Sequence, residues 1–341
     1  MKQKVSIIIL NWNGWKDTLE CLESVYQINY PNFNIVLVDN GSEDESIDMI
    51  KKYAAGDLQV KSDFFDSNMD NKPLQIFEYS NIEFKSLHGE DKKINKLKSN
   101  RNLILIRNDS NYGFSEGNNI GIKFSIEILD PDYILLLNND TIIDKNSLTE
   151  LVSFAYDNKK VGIVGPKVFY YDNPNEIAYI GHNVNLCSGR ILDPEVKNPS
   201  SPLKIDYVVG CGLLIKTKVI NDIGMLDPDY FLYYEDVDLC LRALKSGYEV
   251  YYLPSSKIWH KISLSKNRSL NSYYYGNRNS FLLIKKNQKT RNIYWCFIKL
   301  IINKSILSLY LLIKGKRKES LIVIKSVYDG LRGNYGYKNL D

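Results

Sequence analysis

Four short apolar runs in the first 140 residues, 5–10 (VSIIIL), 34–39 (NIVLVD), 103–107 (LILIR) and 133–138 (YILLLN), share one design. Each is rich in branched aliphatic side chains, each ends in polar residues, and each is followed by a helical pattern. Strands alternating with helices predict a parallel sheet covered on both faces. Leu19, Leu22 and Val25-Tyr26 mark the first helix. Ser42-Glu43-Asp44-Glu45 reads as a capping box opening a second, and residues 115–129 carry a third.

Sheets of this kind bind ligands outside the carboxyl ends of their strands. Asn11, Asp39, Asn108 and the run Asn138-Asn139-Asp140 all fall there. Residues 56–101 are longer than a compact crossover needs and read as an insertion, with a strand-like piece at 74–79. Beyond Asp140 the pattern changes. Strands are expected at 161–164, 207–214 and 249–253 and a helix at 236–245, extending the sheet and building the second wall of a cleft.

The net charge of +4 is unevenly spread. Residues 261–318 hold 14 Lys and Arg and no Asp or Glu, and removing those 14 from +4 leaves the rest of the chain at −10. An acidic body therefore carries a basic arm. Its apolar run, 293–313, favours an anionic lipid surface over nucleic acid, and no nucleic-acid partner is expected. Lys299, Asn303 and Lys304 interrupt that run, which points to a helix lying in the interface rather than spanning a bilayer. The chain divides into residues 1–260, with halves near 1–140 and 141–260, and a basic helical extension, 261–341. Five cysteines (Cys21, Cys187, Cys211, Cys240, Cys296) without a CxxC pair read as buried thiols of a reducing cytoplasm.

Several side chains suit chemistry. A carboxylate at a strand end, Asp140, preceded by the amide oxygens of Asn138 and Asn139, suits Mg²⁺ or Mn²⁺ held jointly with a diphosphate; the same residues are also good turn formers. Asp39 only accepts hydrogen bonds when ionised, so it matches the imino N–H of uracil, thymine or guanine; as an acid near a helix N-terminus it also has a purely structural reading. Asn111 and Gly113 open a loop whose backbone N–H groups can approach a ligand, in a spacing that is neither GxGxxG nor a P-loop. Glu235, Asp236 and Asp238 open a helix beside the aromatic cluster 230–234, which would desolvate them. Asp238 is one turn from Arg242 and pairs with it, leaving Asp236 or Glu235 as a general base. His260, just beyond the last expected strand, could complete a metal site opposite Asp140. Arg278 could reach a diphosphate.

Seven segments, "SIIILNWNG", "IVLVDNGSEDES", "NYGFSEGNNIGI", "YILLLNNDTIID", "VVGCGLLI", "FLYYEDVDLCLRALKSGY" and "WH", resemble the GT-A-fold glycosyltransferases of family 2, particularly the rhamnosyltransferase-like branch, in that family's order. The resemblance covers about residues 5–279 apart from 56–101. It implies an α/β, Rossmann-like, mostly parallel sheet flanked by helices, with the basic helical extension appended. Asp140 then matches the metal ligand of a variant DxD motif, with Asn138 where many members carry Asp, and His260 is a second ligand. Asp39 binds the nucleobase, Asn11 helps hold the nucleotide, and Asp236 is the base of an inverting, metal-dependent transfer from a nucleotide-diphosphate sugar. The implied acceptor is a glycan or a polyprenyl-linked glycan at the cytoplasmic face of the membrane. A sugar nucleotidyltransferase would need a Gly-rich basic loop after the first strand, and 11–17 is not one. A non-catalytic scaffold would not need Asp39, Asp140, Asp236 and His260 together.

Overall fold

A computed structural model describes residues 3–80, 101–186, 190–194, 198–262, 269–288 and 290–340. The four apolar runs are strands β1 (Val5–Asn11), β2 (Phe33–Asp39), β4 (Asn102–Arg107) and β5 (Tyr133–Asn138). They pair in parallel, with Asn11 level with Asp39 and Leu10 level with Asn138. This register aligns their polar ends at one rim of the sheet. Side chains alternate between two apolar layers: Ile7, Ile9, Leu37 and Leu135 face α1 (Trp15–Tyr26), while Ile8, Val36, Val38 and Leu136 face α3 (Gly113–Phe124). Burial on both faces is why the runs are nearly continuous in apolar residues.

The strand expected inside the insertion is β3 (Gln75–Ser80), which adds a parallel edge to β4. The preceding segment docks on α1 through buried Glu23, which accepts hydrogen bonds from Tyr53, Asn68 and Lys72. Residues 81–100 of the insertion lie outside the described residues, as does Cys187; Cys21, Cys211, Cys240 and Cys296 are buried and not in disulfides. The second helix, α2 (Ser46–Ala55), begins four residues after Ser42, and Ser42 does not cap it. Its hydroxyl is drawn instead to the Asp39 carboxylate.

Beyond β5 the sheet continues through β6 (Thr141–Ile143), β7 (Val161–Tyr170), β12 (Gly212–Lys216) and β13 (Glu249–His260). Short strands β8 (Ile177–Tyr179) and β11 (Leu203–Lys204) pair with β7 and β13, and β9 (Asn183–Asn185) pairs with β10 (Arg190–Leu192) apart from the main sheet. Helices α4 (Ser147–Asp157) and α5 (Thr217–Ile223) flank this half. The path runs β13, β7, β12, β5, β1, β2, β4, β3, with β12 antiparallel to both its neighbours and β6 paired with β13. Two expectations are corrected here. Residues 207–211 are not strand, and β13 runs on to His260, which pairs with Thr141 instead of lying beyond the sheet. A bulge between Leu253 and Lys257 lets the strand continue past the point where its apolar pattern lapses.

The C-terminal region folds into three helices, α7 (Leu270–Asn287), α8 (Thr290–Ile313) and α9 (Arg317–Arg332). α7 is packed into the body: the Asn279 side-chain amide lies 2.8–2.9 Å from the carbonyls of Tyr230, Leu232 and Tyr233. α8 is unbroken by Lys299, Asn303 or Lys304, and Asn292–Ile313 is long and apolar enough to cross a membrane by length and composition. One face of α8 packs through Cys296, Leu300 and Leu311, and its Ser308 bonds to Ser320 of α9. Another face leaves Trp295, Ile302, Ile306 and Ile313 exposed.

Candidate active site

A chain of side-chain hydrogen bonds ties the strand ends together. Asp39 accepts from the Asn11 amide at 2.7 Å and from the Ser42 hydroxyl at 2.6 Å, with the Ser42 N–H at 3.1 Å on its other oxygen. The Asn11 carbonyl accepts from Thr18 at 2.7 Å, and Thr18 in turn accepts from the Asn139 amide at 2.9 Å. The chain from Asp39 through Asn11 and Thr18 to Asn139 fixes the rim across three strands and α1. Asn11 is fully buried with both ends of its amide engaged, so it positions Asp39 and Thr18 instead of meeting a ligand itself. Thr18 carried no sequence signal, because a threonine inside a helix is unremarkable until its partners are known.

Asn40 links the next loop. Its amide donates to the Asn111 side chain and to the Gly113 carbonyl, and its own oxygen accepts from Asn108 and from the Tyr112 N–H. Gly113 has φ +81, and a Cβ there would sit 2.4 Å from the Phe231 ring. The glycine therefore admits Phe231, not a ligand. Gly117 is likewise needed inside the fold, where a Cβ would meet Leu10 at 2.7 Å. Gly113→Ala is expected to cost about 1–3 kcal/mol through overpacking and backbone strain; a melting temperature equal to wild type would contradict this.

Two adjoining cavities open at the rim, sharing Phe114 and Leu232. The larger, about 1010 Å³, is lined by Trp12, Asn40, Asn111 and Asn139 among others. The smaller, about 680 Å³, brings together Asn138, Cys211, Glu235, Asp236 and His260. A strained segment runs between the two cavities: Phe231, on the larger, and Tyr233 and Tyr234, on the smaller, have φ of 61, 70 and 76. Non-glycine residues in this region are costly and concentrate at functional sites. Asn279 holds the segment from beneath through the three carbonyls described above. This role was not legible from sequence, because Asn279 lies in α7, separated from the three carbonyls by 49, 47 and 46 residues.

At the start of α6 (Glu235–Lys245), Asp236 accepts from the backbone N–H groups of Gly210 at 2.9 Å and Val237 at 2.7 Å. Burial pushes its carboxyl upward more than those N–H groups lower it. Burial and the adjacent Asp236 charge push Glu235 well above the ordinary range, and its Oε2 is buried without a hydrogen-bond partner. Asp238 pairs with Arg242 as expected, accepting from it at 2.7 Å and from the Tyr230 hydroxyl at 3.2 Å.

Asp140 Oδ1 and His260 Nε2 are 3.0 Å apart. Burial lowers the basicity of His260 while Cys211 and Asp140 raise it, leaving it pushed up to about 10. Asn138 Oδ1 and His260 Nδ1 are buried without hydrogen-bond partners. No cluster of three or more His, Cys, Asp or Glu suited to a metal occurs among the described residues. The donor set therefore fits a hard divalent cation only where a ligand such as a diphosphate supplies further oxygens. Arg278 is not at this rim. It is fully buried in α7, where its guanidinium donates to the Gly336 carbonyl and lies 5.2 and 4.9 Å from the ring centres of Tyr274 and Tyr275. The diphosphate contact expected of it is thereby corrected: burial has committed its donors elsewhere.

The model for glycosyl transferase family group 2 matches residues 133–324, more than half of the chain. The chain is a family 2 glycosyltransferase. A second model, glycosyl transferase family 2, matches residues 6–70. The transferase is 28% identical over 201 residues to the dTDP-rhamnosyl transferase RfbF of Shigella flexneri, covering 56% of this chain and 66% of that one. It is 26% identical over 193 residues to the low-salt glycan biosynthesis hexosyltransferase Agl10 of Haloferax volcanii, covering 54% and 61%. The matches thus span less than two thirds of either relative. Among solved structures, the mannosyltransferase PcManGT from Pyrobaculum calidifontis, in complex with GDP-Man and Mn²⁺, aligns over 97% of this chain and 88% of its own with a TM-score of 0.56 and 12% identity. That likeness is one of fold. The architecture is the expected GT-A type, a mostly parallel sheet flanked by helices with a helical C-terminal region.

Proposed function

We propose that this transferase moves a sugar from a UDP- or dTDP-linked donor to a hydroxyl of a glycan or lipid-linked glycan, inverting the anomeric carbon, in cell-surface polysaccharide or glycoprotein assembly. The observation that carries the reading is the meeting of Asp236, Asn138 and His260 in one cavity, with Asp140 3.0 Å from His260. A basic carboxylate thus stands beside groups suited to a cation and a diphosphate. The donor nucleotide occupies the larger cavity and the acceptor the smaller. Asp236 takes the proton of the acceptor hydroxyl, the oxygen bonds to the anomeric carbon, and the bond to the diphosphate breaks with its electron pair leaving on the phosphate oxygen. Asp140 and His260, the latter giving up the proton it holds beside Asp140, would with the Asn138 oxygen hold Mg²⁺ or Mn²⁺, which when bound stabilises the charge of the leaving diphosphate. Asp39, already held by Asn11 and Ser42, reads the base. RfbF's name supports a dTDP-sugar, and the GDP-Man of PcManGT keeps guanine among the bases to test.

The reading is tested by incubating the protein with a panel of UDP-, dTDP- and GDP-sugars, Mn²⁺ and a polyprenyl diphosphate-linked saccharide, then assigning the anomeric configuration of any product by NMR. Transfer with inversion supports it. Transfer with retention would remove the single-displacement mechanism.

The basic arm supports a site of action on the cytoplasmic face of an anionic membrane. Exposed Ile302, Ile306 and Ile313 of α8 and Leu321 and Ile324 of α9 offer apolar surface, and the same α8 carries Lys304 to the lining of the acceptor cavity. An acceptor anchored in lipid would meet the cavity from that side. Flotation with phosphatidylglycerol vesicles is expected to carry the protein upward, less so at high salt and less so for Ile302→Asp combined with Ile306→Asp. Equal behaviour of the variant and wild type would exclude this face.

A further inference from the structure

The donor reading leaves one charge unanswered. A nucleoside diphosphate is a polyanion, yet with Arg278 buried the catalytic body offers the larger cavity no cationic side chain among its described lining residues. The one cation on that lining is Lys338, carried by a segment that returns from the end of α9.

This segment is fastened at several points. The Gly336 N–H donates to the Asp229 carbonyl at 2.8 Å, and the Gly336 carbonyl accepts from Arg278 at 2.6 Å. The Lys338 N–H donates to the Tyr275 hydroxyl oxygen at 3.0 Å, and the Tyr337 ring packs 5.3 Å from that of Phe231. Those ties hold Tyr337, Lys338, Asn339 and Leu340 on the cavity that Trp12, Asn40 and Asn139 also line. Buried Arg278 thereby acquires a purpose its sequence position did not reveal: it anchors the strap.

The Lys338 ammonium lies 3.5 Å from Asp329 with 39% of its side chain exposed. Asp329 also accepts from Tyr274 at 2.7 Å and from Asn334 at 3.0 Å. It keeps two partners when the ammonium turns toward a ligand, so the exchange strands no buried carboxylate.

We infer that residues 337–340 form a wall of the donor pocket and that Lys338 supplies the positive charge that meets the donor's diphosphate. The inference rests on the donor reading above. Its test is a titration of wild type, Lys338→Ala and Lys338→Arg with UDP, dTDP and GDP in the presence of Mn²⁺, the parent nucleosides being measured by competition. For whichever diphosphate wild type binds, Lys338→Ala is expected to weaken it about tenfold, leave the nucleoside within about twofold, and keep the wild-type melting temperature; Lys338→Arg restores most of the loss. Equal diphosphate affinity in wild type and Lys338→Ala overturns the inference alone. A parallel loss for diphosphate and nucleoside also overturns it, since the residue would then shape the pocket without meeting the phosphates. If wild type binds none of the three, the donor reading falls, and this inference with it.

Discussion

Asp236→Asn is expected to lower turnover about 10²–10⁴-fold, the range a general base contributes, while nucleotide affinity stays within about twofold of wild type. The amide keeps the size of the carboxylate but cannot take a proton from the acceptor. Because burial raises the Asp236 carboxyl, activity in wild type should rise with pH as that group loses its proton, and the acid limb should vanish from the residual activity of the variant. The same burial carries a stability cost. A carboxyl whose folded pKa lies above its unfolded value of about 4 contributes stability below that value and loses it as pH rises through the folded pKa. Glu235, with a buried oxygen lacking a hydrogen-bond partner, is the clearer case. Glu235→Gln is therefore expected to raise the melting temperature at pH 7 by about 2–4 °C. Full activity in Asp236→Asn would sink the base assignment, and a lower melting temperature in Glu235→Gln would contradict the desolvation argument.

Asp140→Ala should abolish the metal-dependent part of nucleotide binding, a loss of about 10–100-fold or more. The variant should still bind as weakly as wild type does in a chelator. The physical reason is the sparse donor set: with His260 as its partner and Asn138 giving only an amide oxygen, Asp140 is the one carboxylate assigned to the cation. The measurement is calorimetric titration with and without Mn²⁺. An undiminished Mn²⁺ effect in the variant would place the cation elsewhere.

The parallel half of the fold was legible because burial on both faces leaves a plain signature: apolar runs that stop at the level of the ligand rim. Their register then carries Asn11 beside Asp39 and Asn138 beside Leu10 without further information. The antiparallel half was less legible, since β13 crosses a bulge and 207–211 is apolar yet irregular. At the site, residue type singled out Glu235, Asp236 and His260, which line one cavity, and Asp140, which lies 3.0 Å from His260. It could not separate residues that face a ligand from residues that hold those residues in place. Asn11, Gly113 and Arg278 all have chemistry suited to nucleotides, and all three are occupied within the protein. Thr18, Asn40 and Asn279, which do the holding, are ordinary polar residues, each with at least one partner far off in sequence. The strap 336–340 was hidden for the same reason: its value comes from where α7 and α9 return it, not from its composition.

The most direct test of the account is calorimetric titration of the wild-type protein with UDP, dTDP and GDP, each with Mn²⁺ and with a chelator. One of the three is expected to bind, and to bind more tightly with Mn²⁺. Absence of binding by all three in both conditions would contradict this and leave a transferase fold without its donor.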